Sequence, residues 1–189
     1  MDGTRSLSFD KLRTRATCVT QFVSEPTISL RPAIAEDRFR IRRWLGDPGA
    51  AAAWGNAASA EAEINLAMGG GAALCRIIER AGVAIGYAHA IEIGLLGGGW
   101  PEGLPPGTWH LNFLIAATEE HPDRQRGDLL ARLVREVFAS TLAVACSGVV
   151  SIRSEALART YERAGFRWQR IFEDPLLGPC WLLLIERPK

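Results

Sequence analysis

The sequence lacks the marks of a polyanion binder, a membrane protein or a metal-thiolate protein. Lys and Arg total 22 against 21 Asp and Glu, a net charge of +1. No general basic field exists for nucleic acid or an anionic membrane surface. No apolar run reaches the length needed to cross a bilayer. The four cysteines, Cys18, Cys75, Cys146 and Cys180, stand far apart and match no metal-ligand spacing, so they read as buried reduced thiols of a cytoplasmic protein, with no metal implied. There are no internal repeats. What remains is ordinary: 189 residues, 48% apolar and 23% charged, enough for one domain with a sizeable core.

Met1 to Thr27 differs from the rest. It mixes Ser, Thr and basic residues with isolated apolar ones and lacks the apolar centre of a secretory signal. It reads as a poorly ordered extension, with the folded domain spanning residues 28–189. From Ile28 the chain alternates. A strand at Thr27–Arg31 is closed by Pro32. A helix follows over Ala35–Leu45, with Phe39, Ile41, Trp44 and Leu45 inward, and ends at Gly46-Asp47-Pro48. Ser59 is read as the N-cap of a second helix, with Glu61 and Glu63 in its first turn. Ala73–Glu79 and Val83–Ile93 flank Arg80-Ala81-Gly82 as a hairpin. Gly94–Gly107 is a Gly- and Pro-rich loop long enough to suggest function. Thr108–Ala116 is a fourth strand. A helix from about Gly127 to Leu142 carries the stripe Leu130, Leu133, Val134, Val137, Phe138. Gly148–Ile152 is a strand, Ser154 caps a helix ended by Gly165, and Phe166–Phe172 and Trp181–Ile185 complete seven strands. The pattern predicts a three-layer α/β domain: a mixed central sheet of about seven strands flanked by about four helices.

The turn between the fourth strand and its helix carries the most chemistry. Arg124, Arg126 and Gly127 precede an amphipathic helix whose first N–H groups have no intrahelical partner and whose dipole adds positive potential. Strand, basic Gly-containing turn and helix together hold a phosphate, so a nucleotide-cofactor site is the first expectation.

Three segments, in this order, resemble the GNAT superfamily of acyl-CoA-dependent N-acyltransferases. Gly82-Val83-Ala84-Ile85-Gly86-Tyr87-Ala88 is similar to that family's hairpin. Arg124-Gln125-Arg126-Gly127-Asp128-Leu129 stands in place of its pyrophosphate loop. Ser154 to Phe166, ending Tyr161-Glu162-Arg163-Ala164-Gly165-Phe166, resembles its penultimate helix. A narrower likeness joins two branches. Leu30-Arg31-Pro32, Arg43 to Pro48, Trp54-Gly55 and the Gly-rich loop with Trp100 resemble aminoglycoside 6'-N-acetyltransferases. Trp109 to Ile115 looks more like siderophore-type lysine N-acyltransferases.

The resemblance implies a GNAT fold, acetyl-CoA as cosubstrate, and transfer of its acetyl group to a primary amine of a small molecule, an aminoglycoside-like acceptor among the candidates, by direct attack. It places the pantetheine arm along Leu114 and Ile115. It places the pyrophosphate at Arg124, Gln125, Arg126, Gly127, Asp128, Leu129 and Leu130, with Ser154 nearby. Strand alternation puts His110, Asn112 and Leu114 on one face and Trp109, Leu111, Phe113 and Ile115 on the other. His110 is then the candidate base, since imidazole titrates near neutral pH. Tyr161 is the candidate acid for the leaving thiolate, protonated at neutral pH. Trp54, Trp100 and Glu102 are the candidate acceptor contacts, with His89 and Trp109 as further liners. The chain departs from the pattern in four places. Asn112 replaces a catalytic aspartate; an amide orients a substrate or water but accepts no proton. Ser151 stands near the aspartate of the siderophore-type enzymes, Ser154 replaces an asparagine and suits an N-cap, and Leu129 fills a small-residue position. The alternatives are siderophore-type chemistry and an acyl-CoA-binding module without turnover. A monomer or homodimer is expected, with no nucleic-acid or membrane partner.

Overall fold

The computed structural model describes residues 28–47, 50, 54–97, 100–116 and 123–189. The Met1–Thr27 segment, expected to be an extension, lies outside the described residues. The strands are β1 (Ile28–Pro32), β2 (Ala73–Arg80), β3 (Val83–Glu92), β4 (Thr108–Ile115), β5 (Ala145–Ser151), β6 (Arg167–Asp174) and β7 (Gly178–Glu186). The four α-helices among the described residues are α1 (Asp37–Leu45), α2 (Ala57–Gly69), α3 (Asp123–Ser140) and α4 (Glu155–Arg163). None is long and apolar enough to cross a membrane. The sheet order is β1-β2-β3-β4-β5-β7-β6. This is the seven-stranded, four-helix α/β architecture that the alternating pattern implies.

Alternation along the strands divides the core. On one face Ala88, Leu111, Phe113 and Val150 pack against Leu130, Leu133 and Val137 of α3 and Ala158 and Tyr161 of α4. On the other, Ile77, Tyr87 and Leu114 pack against Ile41 and Trp44 of α1 and Ile64 of α2. Each fully buried aliphatic side chain contributes roughly 1.5–3 kcal/mol. A buried charge ties α1 to the sheet. Arg31 of β1 grips both carboxylate oxygens of Asp37, at 2.7 and 2.8 Å, and its Nε donates to Glu79 of β2 at 2.8 Å.

Three expectations need correction. Phe39 faces solvent, 86% exposed. At 100° per residue it sits about 200° from Ile41, and Ile41, Trp44 and Leu45 define the inward stripe instead. The N-cap of α2 is Asn56, whose side chain accepts from the Ser59 N–H at 2.9 Å. Ser59 is the donor in that cap and lies inside the helix. Finally, α3 begins at Asp123, four residues before Gly127. Pro122 and an acidic first residue favour a helix start there, so Gly127 is carried into the second turn.

All neighbouring strands are antiparallel except β4 and β5, which pair at only three positions: Thr108↔Ala145, Trp109↔Cys146 and His110↔Ser147. Beyond His110, β4 stays with β3 as far as Gly86↔Ile115, and β5 stays with β7 as far as Ser151↔Cys180. The sheet therefore splits into two halves, with an opening between them.

Candidate active site

The backbone of β4 lines that opening. Ala116 donates its N–H to Ile85 O at 2.8 Å. By antiparallel alternation the even-numbered residues turn their peptide groups toward β3, and Leu111, Phe113 and Ile115 turn theirs into the opening. Side chains hold two of these carbonyls. Tyr161 Oη donates to Leu111 O at 3.0 Å and Trp54 Nε1 donates to Phe113 O at 3.1 Å. The Phe113 N–H donates to Asn112 Oδ1 at 3.1 Å. Of the two residues expected to meet a pantetheine arm, Ile115 presents its peptide to the opening, whereas that of Leu114 is turned to β3.

Tyr161 reaches this point from α4 because β5 gives way. A Cβ on Gly148 would lie 2.1 Å from Tyr161 Cε1, so only glycine admits the ring. The ring is 2% exposed and touches Phe113 and Phe166. Burial pushes the phenol pKa up, so the hydroxyl keeps its proton.

On the opposite face of the sheet a cavity of about 190 Å³ opens. His110 and Asn112 form its floor, as the strand period predicts, and Trp54 and Trp100 form its aromatic walls. Glu63 enters from α2, and Phe172 and Asp174 from β6. Among the described residues no Lys or Arg lines it. Asp174 Oδ1 accepts from the Leu176 and Leu177 N–H groups at 2.8 and 2.9 Å, fixing the β6–β7 turn at the cavity rim. His110 is 5% exposed and stacks obliquely on Trp100, ring centroids 4.6 Å apart. Burial pulls its pKa down to about 4, so the imidazole is neutral at pH 7. His110 Nδ1 and Ser147 Oγ, on paired positions of β4 and β5, are both buried without a hydrogen-bond partner among the described residues.

Behind the cavity wall, His89 of β3 is fully buried, with its ring 5.3 Å from Trp54 and 5.6 Å from Tyr87. Its Nε2 lies 2.9 Å from Glu63 Oε1. Burial raises the Glu63 carboxyl, but the His89 hydrogen bond and the neighbouring His110 and Asn112 side chains together outweigh it and hold the group below the ordinary carboxylate range.

The expected phosphate residues lie at the start of α3. Arg124 and Gln125 lie in the first turn of α3, while the N–H groups of Gly127, Asp128, Leu129 and Leu130 are bonded within the helix. Leu129 and Leu130 are buried in the core, and Asp128 and Arg124 are exposed. Arg126 is half-buried, and its Nε has no hydrogen-bond partner among the described residues. Gly127 sits against α4, where a Cβ would come 2.9 Å from Arg163 Cβ. Close helix packing therefore accounts for this glycine. Ser154 occupies the N-cap position of α4 without a side-chain capping bond.

The structure thus brings Trp54, Trp100, His110 and Asn112 together and leaves out Glu102, an exposed residue of the Gly-rich loop. Trp109 belongs to the opposite face and packs against the α3–α4 core. The sequence reading missed Glu63, Phe172 and Asp174 as cavity residues. A signal for Glu63 existed: it lies among Ala60, Ile64 and Ala67, the buried face of α2. An acid on an inward stripe asks for a partner.

No family model and no curated protein matches the sequence. Solved structures do. The aminoglycoside acetyltransferase AAC(6')-Ib, in complex with coenzyme A and kanamycin, superposes with a TM-score of 0.71 at 22% identity, over 85% of this chain and 95% of that one. An aminoglycoside N(6')acetyltransferase from Legionella pneumophila gives 0.68 at 15% identity, over 87% and 94%. A chimera of spermidine N-acetyltransferase SpeG from Vibrio cholerae and hSSAT gives 0.62 at 16%, over 84% and 95%. At such identities the likeness is one of fold, and the fold of this chain is that of the GNAT N-acetyltransferases.

Proposed function

We propose that the protein transfers an acetyl group from acetyl-CoA to a primary amine of a cationic small molecule. The observation that carries this reading is the cavity beside the split in the sheet. It combines two carboxylates, Glu63 and Asp174, with the aromatic rings of Trp54, Trp100 and Phe172, and among the described residues no Lys or Arg lines it. Carboxylates and aromatic faces both attract an ammonium group. The solved structures of like fold are named for aminoglycoside and spermidine acetylation, which fits the same chemistry.

The chain's own residues fit the cosubstrate. The positive end of the α3 dipole, with the side chains of Arg124 and Arg126, suits a pyrophosphate. The Ile115 peptide offers the opening a free strand edge for an amide-bearing arm. Acetyl-CoA supplies an activated acyl group. The protein excludes water, holds the amine against the thioester and returns a proton to the departing sulfur. Tyr161 is the group in this reading that holds a proton beside the opening. His110, kept neutral by burial, shapes the cavity floor beside Trp100.

Calorimetric titration of the full chain with acetyl-CoA, followed by thiol release with kanamycin and with spermidine, tests the proposal. Micromolar binding, on the order of −8 kcal/mol, and amine-dependent release of CoA are expected. Binding without release would favour the module without turnover, and no binding at millimolar acetyl-CoA would overturn both.

A further inference from the structure

We infer that the carboxylate that takes the acceptor's proton is Glu63, delivered by α2, and that Asn112 and His89 are positioning residues that hold it in place. The inference rests on the acetyl-transfer reading above.

Asn112 carries the first part of the argument. Its Oδ1 is occupied by the Phe113 N–H at 3.1 Å, which fixes the amide so that Nδ2 is left as donor. That donor and the Glu63 carboxylate line the same cavity. The β4 position therefore has no basic oxygen to offer an amine and instead orients a carboxylate arriving from another element. An aspartate at 112 would set a second negative charge against Glu63 and remove the donor. The amide on β4 and the acid on α2 are complementary parts of one device.

His89 supplies the second part. It is 0% exposed, between Trp54 and Tyr87, and its one polar contact among the described residues is Glu63 Oε1 at 2.9 Å. Burying an imidazole among aromatic rings is costly unless it is hydrogen-bonded, and here the bond goes to the residue that lines the cavity. Glu63 is thus held from β3 and shares the cavity with Asn112 of β4, while remaining 27% exposed toward the acceptor space. The other cavity carboxylate, Asp174, has Oδ1 committed to two backbone N–H groups of its turn. The other titratable group on the floor, His110, is buried and neutral.

The step balances. The bound ammonium gives one N–H proton to a Glu63 oxygen. The freed nitrogen lone pair forms the C–N bond at the thioester carbon. The C–S bond breaks with its electron pair on sulfur, and the thiolate takes a proton to leave as thiol. The second proton lost from nitrogen on amide formation replaces the one the acid group gave, and Glu63 releases its own to water through the open cavity. The groups that face Glu63 are His89 and Tyr87 from β3, His110 and Asn112 from β4 and Asp174 from the end of β6.

The test is the pH dependence of kcat/KM between pH 6 and 9, by thiol release with kanamycin and with spermidine, for wild type, Glu63→Gln, Glu63→Asp and the double variant Glu63→Gln/Asn112→Asp. Calorimetric acetyl-CoA binding serves as the control for folding. Glu63→Gln is expected to lose about 100-fold in kcat/KM at pH 7 and to climb about tenfold per pH unit, because it then depends on amine already deprotonated in solution. Glu63→Asp keeps the wild-type shape at a reduced rate, and the double variant, with its carboxylate moved to β4, regains at least tenfold. Acetyl-CoA affinity stays at the wild-type value throughout. A Glu63→Gln profile parallel to wild type and within twofold of it overturns the role of Glu63 and leaves acetyl transfer standing. A variant that also loses acetyl-CoA affinity overturns it in favour of a purely structural part. A wild type that binds acetyl-CoA but releases no thiol with either amine takes down the acetyl-transfer reading, and this inference with it.

Discussion

Tyr161 Oη donates a 3.0 Å hydrogen bond to Leu111 O, and Leu111 is the first residue of β4 beyond its last pairing with β5. The phenol takes the place that a β5 amide would fill if the strands ran on together. A carbonyl left bare at a buried strand edge costs about 1–3 kcal/mol, so Tyr161 stabilises the opening as well as facing it. Tyr161→Phe should lower unfolding free energy by about 1–2 kcal/mol, read as a shift in urea midpoint. In the proposed reaction it should also lower kcat while sparing acetyl-CoA affinity. A variant with wild-type kcat would remove the phenol from thiol release and leave it a strand-edge cap.

Gly148 is the other half of that arrangement. An alanine there would drive its Cβ to 2.1 Å from Tyr161 Cε1 and 2.8 Å from Cζ. The ring cannot retreat, because it is buried against Phe113 and Phe166. Overpacking of this kind costs roughly 1–3 kcal/mol or more, so Gly148→Ala should melt several degrees below wild type, about 2–4 °C per kcal/mol for a chain of this size. An unchanged melting temperature would mean that the β5 backbone yields where the packing says it is held.

Much of this was legible in the sequence, and the exceptions share a cause. Strands and helices followed from local periods, and His110 with Asn112 on one face followed from the two-residue repeat of β4. The cavity's other half came from residues distant in sequence. Phe172 and Asp174 reach it because β6 lies at the sheet edge beyond β7, an order no local pattern encodes. Glu63 looked like a helix-start acid, since its bond to His89 spans 26 residues. Gly127 looked like a phosphate-loop glycine because its sequence context fits one, whereas its tightest neighbour is Arg163 of α4. Glu102 was favoured for charge alone, and charge on a loop is most often simply solvated.

Asp37 should govern stability in strong acid. Its carboxylate is 4% exposed, gripped through both oxygens by Arg31, and accepts the Ile34 N–H at 3.0 Å. The Arg31 guanidinium outweighs burial and holds its pKa below the ordinary value of 3.8. The unfolded chain therefore takes up the proton first as pH falls. The contribution is fully present above about pH 4 and is lost as pH drops through the lowered folded value. Arg31 is partly exposed, which weakens the pair, so Asp37→Asn should cost about 2 kcal/mol at pH 7. The same variant should show a flatter decline below pH 4 in urea titrations at stepped pH.

His110 acts in a different window and with the same sign. Burial lowers its folded pKa from 6.5 to about 4. Between those values the unfolded chain binds a proton that the folded chain refuses, so stability rises with pH across that range. Above pH 6.5 both states are neutral and the effect vanishes. Below about pH 4 both are charged and the full penalty has been reached, on the order of 3 kcal/mol at 1.4 kcal/mol per unit. A side chain that does not titrate should remove this dependence. We therefore expect the stability of His110→Gln relative to wild type to improve by about 2 kcal/mol between pH 8 and pH 5, whatever its absolute stability at pH 8. Urea unfolding of both proteins at the two pH values measures the difference directly, and Asp37 contributes nothing to it, since its window lies lower. Equal differences at pH 8 and pH 5 would mean that water or a polar group reaches His110 in solution. The imidazole could then accept a proton near neutral pH, and the case for Glu63 as the group that takes it would weaken accordingly.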